Sequence, residues 1–235
     1  MLEQNRQLRA KREAEKKEMG MLAICAGQGL ADIFKDLFVD RVIEGGQTMN
    51  PSASDIATAA QKINAKNIFV FPNNKNIILA AEQARSLVEN RVIHVIPTKN
   101  VPRGFTAALE FNPEASVEEN KTNMIHAMDN VKAGQVTYAV RTTTLNGFSI
   151  KQGDIIGLND KKILAKSSSV EETTLKLIEH MKEDSQQVIT LYYGEDVKEE
   201  EAAALCATIA EKYPDCDVDY HSGGQPVYYY IISLE

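Results

Sequence analysis

The residues best suited by type and spacing to do chemistry fall in three short loops. "GGQTMNPSAS" carries Thr48, Asn50 and Ser52 behind two glycines. Short hydroxyl and amide side chains beside a turn can hold an anion, and they serve equally well as caps for the helix that follows. "IPTKNVPRG" repeats the arrangement with Thr98, Lys99 and Arg103. These would complete an anion pocket with the first loop if the strands before them are neighbours, because open α/β sheets take ligands at the carboxyl ends of their strands. "HSGGQP" sets His221 ahead of Gly223 and Gly224. It reads either as an imidazole beside backbone N–H groups that receive an oxyanion or phosphate, or as an ordinary tight turn.

A fourth stretch, "AGQGLAD", has a Gly-x-Gly between a strand and a helix. It lacks the third glycine and the acidic residue of a dinucleotide fingerprint, so a nucleotide-using enzyme stands only as an alternative. There is no Gly-x-x-x-x-Gly-Lys-Ser/Thr phosphate loop and no Gly-x-Ser-x-Gly elbow. Catalysis needs a nucleophile with its base or a cluster of carboxylates, and neither constellation is visible. His94, His126, His180 and His221 are scattered without zinc-site spacing. The expectation is a chain with no catalytic residues, no metal and no cofactor of its own.

The elements that must position these loops are legible as an alternation. "MLAICA", "NIFVFP" and "RVIHVIP" read as strands, interleaved with helices in "GLADIFKDLFV", "SASDIATAAQKI", "NIILAAEQARSLV" and "VPRGFTAALEF". Repeated β-α units spell a parallel sheet. A longer helix, "SVEENKTNMIHAMDNVKAG", is expected to close this half at Gly134. The texture then changes to strands in "QVTYAVRTTTL", "FSIKQGDIIGL" and "KKILAKSS", followed by two helices and two strands that end in "PVYYYIISLE". The Tyr228 to Tyr230 run reads as core and surface area in a strand, not as catalytic groups. The fold class expected is α/β with a parallel-sheet first domain over 21–134 and a mixed α+β second domain over 135–235, preceded by a charged helical linker over 1–20.

Composition sets outer limits. A net charge of −7 and a pI near 5.3 argue against nucleic acid and anionic membranes as general partners. No window is long and apolar enough for a transmembrane segment, and the N-terminus lacks the apolar core of a signal peptide, so a cytoplasmic location is expected. Cys25, Cys206 and Cys216 read as reduced thiols. Between Glu183 and Asp219, eleven acidic residues face only Lys198 and Lys212, which makes one side of the second half acidic.

Three segments in order, "GGQTMNPSASDI", "FPNNKNIILAAEQA" and "GGQPVYYYIISLE", resemble the C-terminal region of the bacterial fatty acid kinase subunit, whose catalytic domain is of the dihydroxyacetone-kinase type. The resemblance spans 21–235. It implies that a kinase domain and a middle domain precede this region and that residues 1–20 are the linker between. It further implies a function in which a fatty acid held by a separate carrier protein is phosphorylated to an acyl-phosphate for phospholipid synthesis. ATP and magnesium would belong to the kinase domain, whose Asp-rich motif is missing here. The remaining role is to dock the carrier or to organise a kinase homodimer.

The layout also resembles the DegV-type fold of the fatty-acid carriers themselves, which bind a carboxylate through three loops. The first survives as Thr48-Met49-Asn50-Pro51-Ser52, with Met49 where the pattern has a polar serine. The second has Pro97 in place of the aspartate and Pro102 in place of the later serine, and the third survives partly as Tyr220-His221-Ser222-Gly223-Gly224-Gln225. Loss of hydroxyl donors would leave a buried carboxylate underpaired. What the resemblance implies is a carrier-like fold with a degraded lipid site, the alternative being a working fatty-acid-binding module.

Overall fold

The computed structural model describes residues 17–45, 50–145, 147–159 and 162–235. It divides into two compact units, the first with Ala31–Met128 and the chain up to Cys25, the second with Asp129–Glu235 and the short piece Ala26–Leu30.

The first unit is built on four parallel strands, β1 (Lys17–Cys25), β2 (Arg41–Glu44), β3 (Ala65–Phe71) and β4 (Val92–Val95), in the order β2-β1-β3-β4. The central pair is buried on both faces and reads as continuous apolar sequence, as parallel strands under helices must. Helices α1 (Gln28–Asp36), α2 (Ala53–Gln61), α3 (Lys75–Ala84), α4 (Val101–Leu109) and α5 (Val117–Met128) connect and cover them. Leu22, Ile24, Ile68 and Val70 meet Ile56, Ala60, Ile77 and Ala81 in one core on the α2–α3 side. The chain steps from β1 to β2 on one side and then returns past β1 to β3, so the connections change direction between β1 and β3.

In the second unit, β5 (Lys132–Tyr138), β8 (Ile155–Asn159), β9 (Lys162–Ser167), β10 (Val188–Tyr193), β11 (Asp217–Ser222) and β12 (Tyr228–Leu234) form a sheet in the order β11-β10-β12-β5-β8-β9. Only β10 and β11 run parallel. Helices α6 (Val170–Met181) and α7 (Glu199–Lys212) cover one face. Their Leu177, Ile178, Leu205 and Ile209 pack on Val136, Ile189, Leu191, Tyr230 and Ile232. A separate hairpin pairs β6 (Thr143–Leu145) with β7 (Phe148–Ile150).

Three expected boundaries differ. β1 begins at Lys17, inside the stretch read as linker, because Met19 and the following residues gain a buried, paired position against β3. The long helix expected to run to Gly134 stops as α5 at Met128, and Gly134 lies within β5. A Cβ there would come within 2.8 Å of Met181 Sδ, so the glycine makes room for α6 instead of capping a helix. The long strands after it break into β5 and β6, and β7 and β8, at turns that include Gly153 with φ of 89°.

Candidate functional site

At the carboxyl end of the first sheet, the loop after β3 turns through Asn73 in a left-handed conformation, φ 55°. Its backbone N–H donates to Thr98 Oγ1 at 2.9 Å, and its Nδ2 donates to the Ile24 carbonyl of β1 at 3.0 Å. One residue thereby ties the ends of β1, β3 and the loop after β4. This is where the connections change direction, the usual ligand crevice of an open α/β sheet. Asn73 Oδ1 is buried without a conventional hydrogen bond. It lies where a Cβ on Gly104 would sit 2.0 Å away, so the Cα hydrogen of that glycine points at it, a weak C–H···O contact.

The other polar residues of these loops are helix caps. Asn100, almost fully buried, accepts from the Arg103 backbone N–H at 3.1 Å and starts α4, with Pro102 in the first turn. Ser52 starts α2 with a reciprocal capping box: its Oγ accepts from Asp55 N at 3.2 Å, and Asp55 Oδ2 accepts from Ser52 N at 2.9 Å. Those bonds from Ser52 hold the Asp55 carboxyl below its ordinary value. Asn50 is exposed, and Thr48 lies outside the described residues.

In the second unit, the glycine turn after β11 faces inward. The N–H groups of Gly223 and Gly224 both donate to the Tyr193 carbonyl, at 2.9 and 3.1 Å. The expectation of N–H groups presented to an oxyanion is therefore corrected, because the end of β10 already occupies them. Gln225, almost fully buried, donates from Nε2 to the Tyr192 carbonyl at 2.8 Å. Its Oε1 has no conventional partner and sits against Gly223, where a Cβ would be 1.9 Å away. His221 is apart from this turn's interior: it is exposed on the edge strand β11, 3.4 Å from Asp219 and with its ring 5.9 Å from that of Tyr192.

The same turn accounts for the Gly-x-Gly of "AGQG". A Cβ on Gly29 would lie 1.8 Å from the Ser222 carbonyl oxygen, and Leu30 N donates to the Gly223 carbonyl at 3.1 Å. The glycines permit backbone to lie on backbone, and a first-turn N–H of α1 that a phosphate would use is already bonded. Nucleotide binding loses its structural basis at this loop. Burial pushes the Cys25 thiol at the end of β1 up to about 12, which suits packing and not nucleophilic attack. Among the described residues no cluster of His, Cys, Asp or Glu is arranged to hold a metal, and no helix is long and apolar enough to cross a membrane.

Thr98, Asn100 and Arg103 are thus brought together at the start of α4, and Gly223 and Gly224 at the end of β10. The residues that organise both places, Asn73 and Gln225, were not among the candidates. Their signal was present: an Asn-Asn after a strand-ending Phe-Pro, and a Gln after two glycines, both amides at turns.

A parallel sheet closed at its switch point, joined in sequence to a mixed sheet under two helices, defines a DegV-like α/β fold. The DegV family protein of Corynebacterium glutamicum superposes with a TM-score of 0.66 over 93% of this chain and 97% of that one, at 13% identity. A Thermus thermophilus DegV family protein, described by its fatty acid binding, gives 0.63 over 93% and 99%, at 12% identity. The chain belongs to the FakA-like C-terminal family of the fatty acid kinases, whose model matches residues 20–235. Protein YloV of Bacillus subtilis is 44% identical over 220 residues, covering 94% of this chain and 40% of YloV. The chain spans about two fifths of the length of the curated relatives it matches.

Proposed function

We propose that this chain is the non-catalytic C-terminal module of an ATP-dependent fatty acid kinase. It docks the separate carrier protein that holds the fatty acid, in the cytoplasm, so that a kinase domain outside this chain forms the acyl-phosphate for phospholipid synthesis. ATP and magnesium serve that other domain, and a homodimer forms through the rest of the kinase.

The observation that supports docking over lipid binding is the network at the first unit's switch point. Asn73, Thr98 and the Ile24 carbonyl bond to one another across the crevice where a carrier would seat a ligand. A carboxylate entering there would break the Asn73–Thr98 bond and leave a buried donor to be re-paired, at a cost of about 1–3 kcal/mol. Calorimetry of this chain against a fatty-acid-loaded carrier tests the reading. Saturable binding is expected, and a flat titration with both partners folded would sink it.

A second reading, a fatty-acid-binding module in its own right, has one observation in its favour. Thr98 is fully buried, and its hydroxyl, while accepting from Asn73, still has a hydrogen to donate. Mass spectrometry of the purified, denatured chain separates the two readings: a copurified fatty acid at near-stoichiometric yield selects the second.

A further inference from the structure

Helix α1 ends in a way its sequence makes unfavourable. Phe38 N donates to the Lys35 carbonyl and Val39 N to the Phe34 carbonyl, both at 3.0 Å, which is the paired closure that normally places glycine at the left-handed position. Here that position is Phe38, with φ of 61° and 69% of its surface exposed. A bulky side chain is disfavoured in this backbone region, and an aromatic ring in water forgoes its burial. Both penalties fall on one residue. Such local conflicts persist where a side chain serves something other than the stability of its own turn.

The surroundings indicate what covers it. Asp40, two residues on, forms an ion pair with Lys17 and accepts from Met21 N at 2.9 Å. The start of β1 is thereby pinned beside this turn, and residues 1–16 lead into it. Phe34 stacks on Phe105 of α4 with ring centroids 4.5 Å apart. Both α1 and α4 follow parallel strands, so they run in the same direction, and Leu109, 65% exposed at the end of α4, lies at the same end of the unit as Phe38. Exposed Asp36 and Glu110 lie next to these two apolar residues in the chain. The segment 1–16 reads "MLEQNRQLRAKREAEK", with Leu2 and Leu8 among five Lys or Arg and three Glu. That apolar content is too narrow to cover a core, and it suits one or two side chains with an acidic rim.

We propose that Phe38 is the docking point for the segment that precedes β1, which seats Leu8 on the ring and sets its cations toward Asp36 and Glu110. Docking fixes the direction in which the chain enters the first unit, a role that goes beyond carrier recognition and stands or falls separately from it.

The test uses the whole chain and trypsin, whose sites Arg6, Arg9, Lys11 and Arg12 flank Leu8. Phe38→Gly supplies the residue the turn prefers, so the variant is expected to melt no lower than the parent. Cleavage within 6–12 should accelerate on the order of tenfold, because the docked state that protects these bonds is lost. Leu8→Ser should accelerate it to the same degree, and the two changes together should add little. Equal cleavage rates in parent and Phe38→Gly would overturn the proposal. So would a melting temperature that drops in Phe38→Gly, since the ring would then be part of the core. Protection that disappears on dilution would assign the surface to a second copy of the chain instead.

Discussion

The loops at the end of the first sheet and the glycine turn of the second unit solve the same problem with different parts. Each draws neighbouring strand ends together through a buried amide side chain whose nitrogen donates to a strand carbonyl, Asn73 to Ile24 and Gln225 to Tyr192. In each, the amide oxygen rests on a glycine, Gly104 or Gly223, in place of a conventional donor. They differ in what completes the closure. In the first unit it is a side-chain hydroxyl, Thr98; in the second it is backbone throughout, with two glycine N–H groups on one carbonyl and α1's first turn on the next. A closure made by side chains can be edited one group at a time, while one made by touching backbones cannot give way without moving the chain.

That contrast ranks the expected effects of substitution. Gly29→Ala should be the most damaging, because its Cβ would meet the Ser222 carbonyl at 1.8 Å and backbone must shift. A loss of about 3 kcal/mol or more is expected in denaturant unfolding. Thr98→Val keeps the shape but strands the buried Asn73 N–H, and should cost about 2 kcal/mol. If it costs nothing, the hydroxyl is not holding the loop. Gly104→Ala presses on the Asn73 amide, which is a side chain and can rotate at the expense of its bond to Ile24, so about 1–2 kcal/mol is expected. Thr98→Val and Gly104→Ala act on the same residue, so their double variant should be less damaged than the sum of the singles.

The smallest effect belongs to the cap of α2. Ser52→Ala should cost about 1 kcal/mol in thermal or denaturant unfolding. It also carries a pH signature. Asp55 titrates below its ordinary value because Ser52 bonds to its charged form. That stabilisation is therefore fully present above the unfolded value of 3.8 and disappears as the pH falls through the lower folded value. The difference in stability between parent and Ser52→Ala should shrink on acidification across that window. A gap unchanged between neutral pH and pH 3 would remove the capping box from the account.

The α/β alternation, the change of texture into the second unit and the helix starts at Ser52, Asn74 and Asn100 were all open to inspection in the sequence, because period, turn chemistry and capping act over a few residues. The left-handed Asn73 and the buried Gln225 stayed hidden: an amide at a turn has the same local signal whether it faces water or ties three strands together. Gly134 misled for a related reason, since a glycine after a helical stretch reads as a cap until Met181 and Leu177 arrive from α6 to need its missing side chain.

By itself, then, the sequence determined the class of fold and the family, since each rests on residue types and short spacings. The pairing order of the strands decided the rest. Only when β1 and β3 lie side by side do Ile24, Asn73 and Thr98 meet, and only when β10 and β11 pair does Tyr193 reach the glycines of the turn. Hydrogen bonds between residues 25 to 49 positions apart are set by that packing, and no local pattern encodes whether a polar loop is open to a ligand or already satisfied by its neighbours.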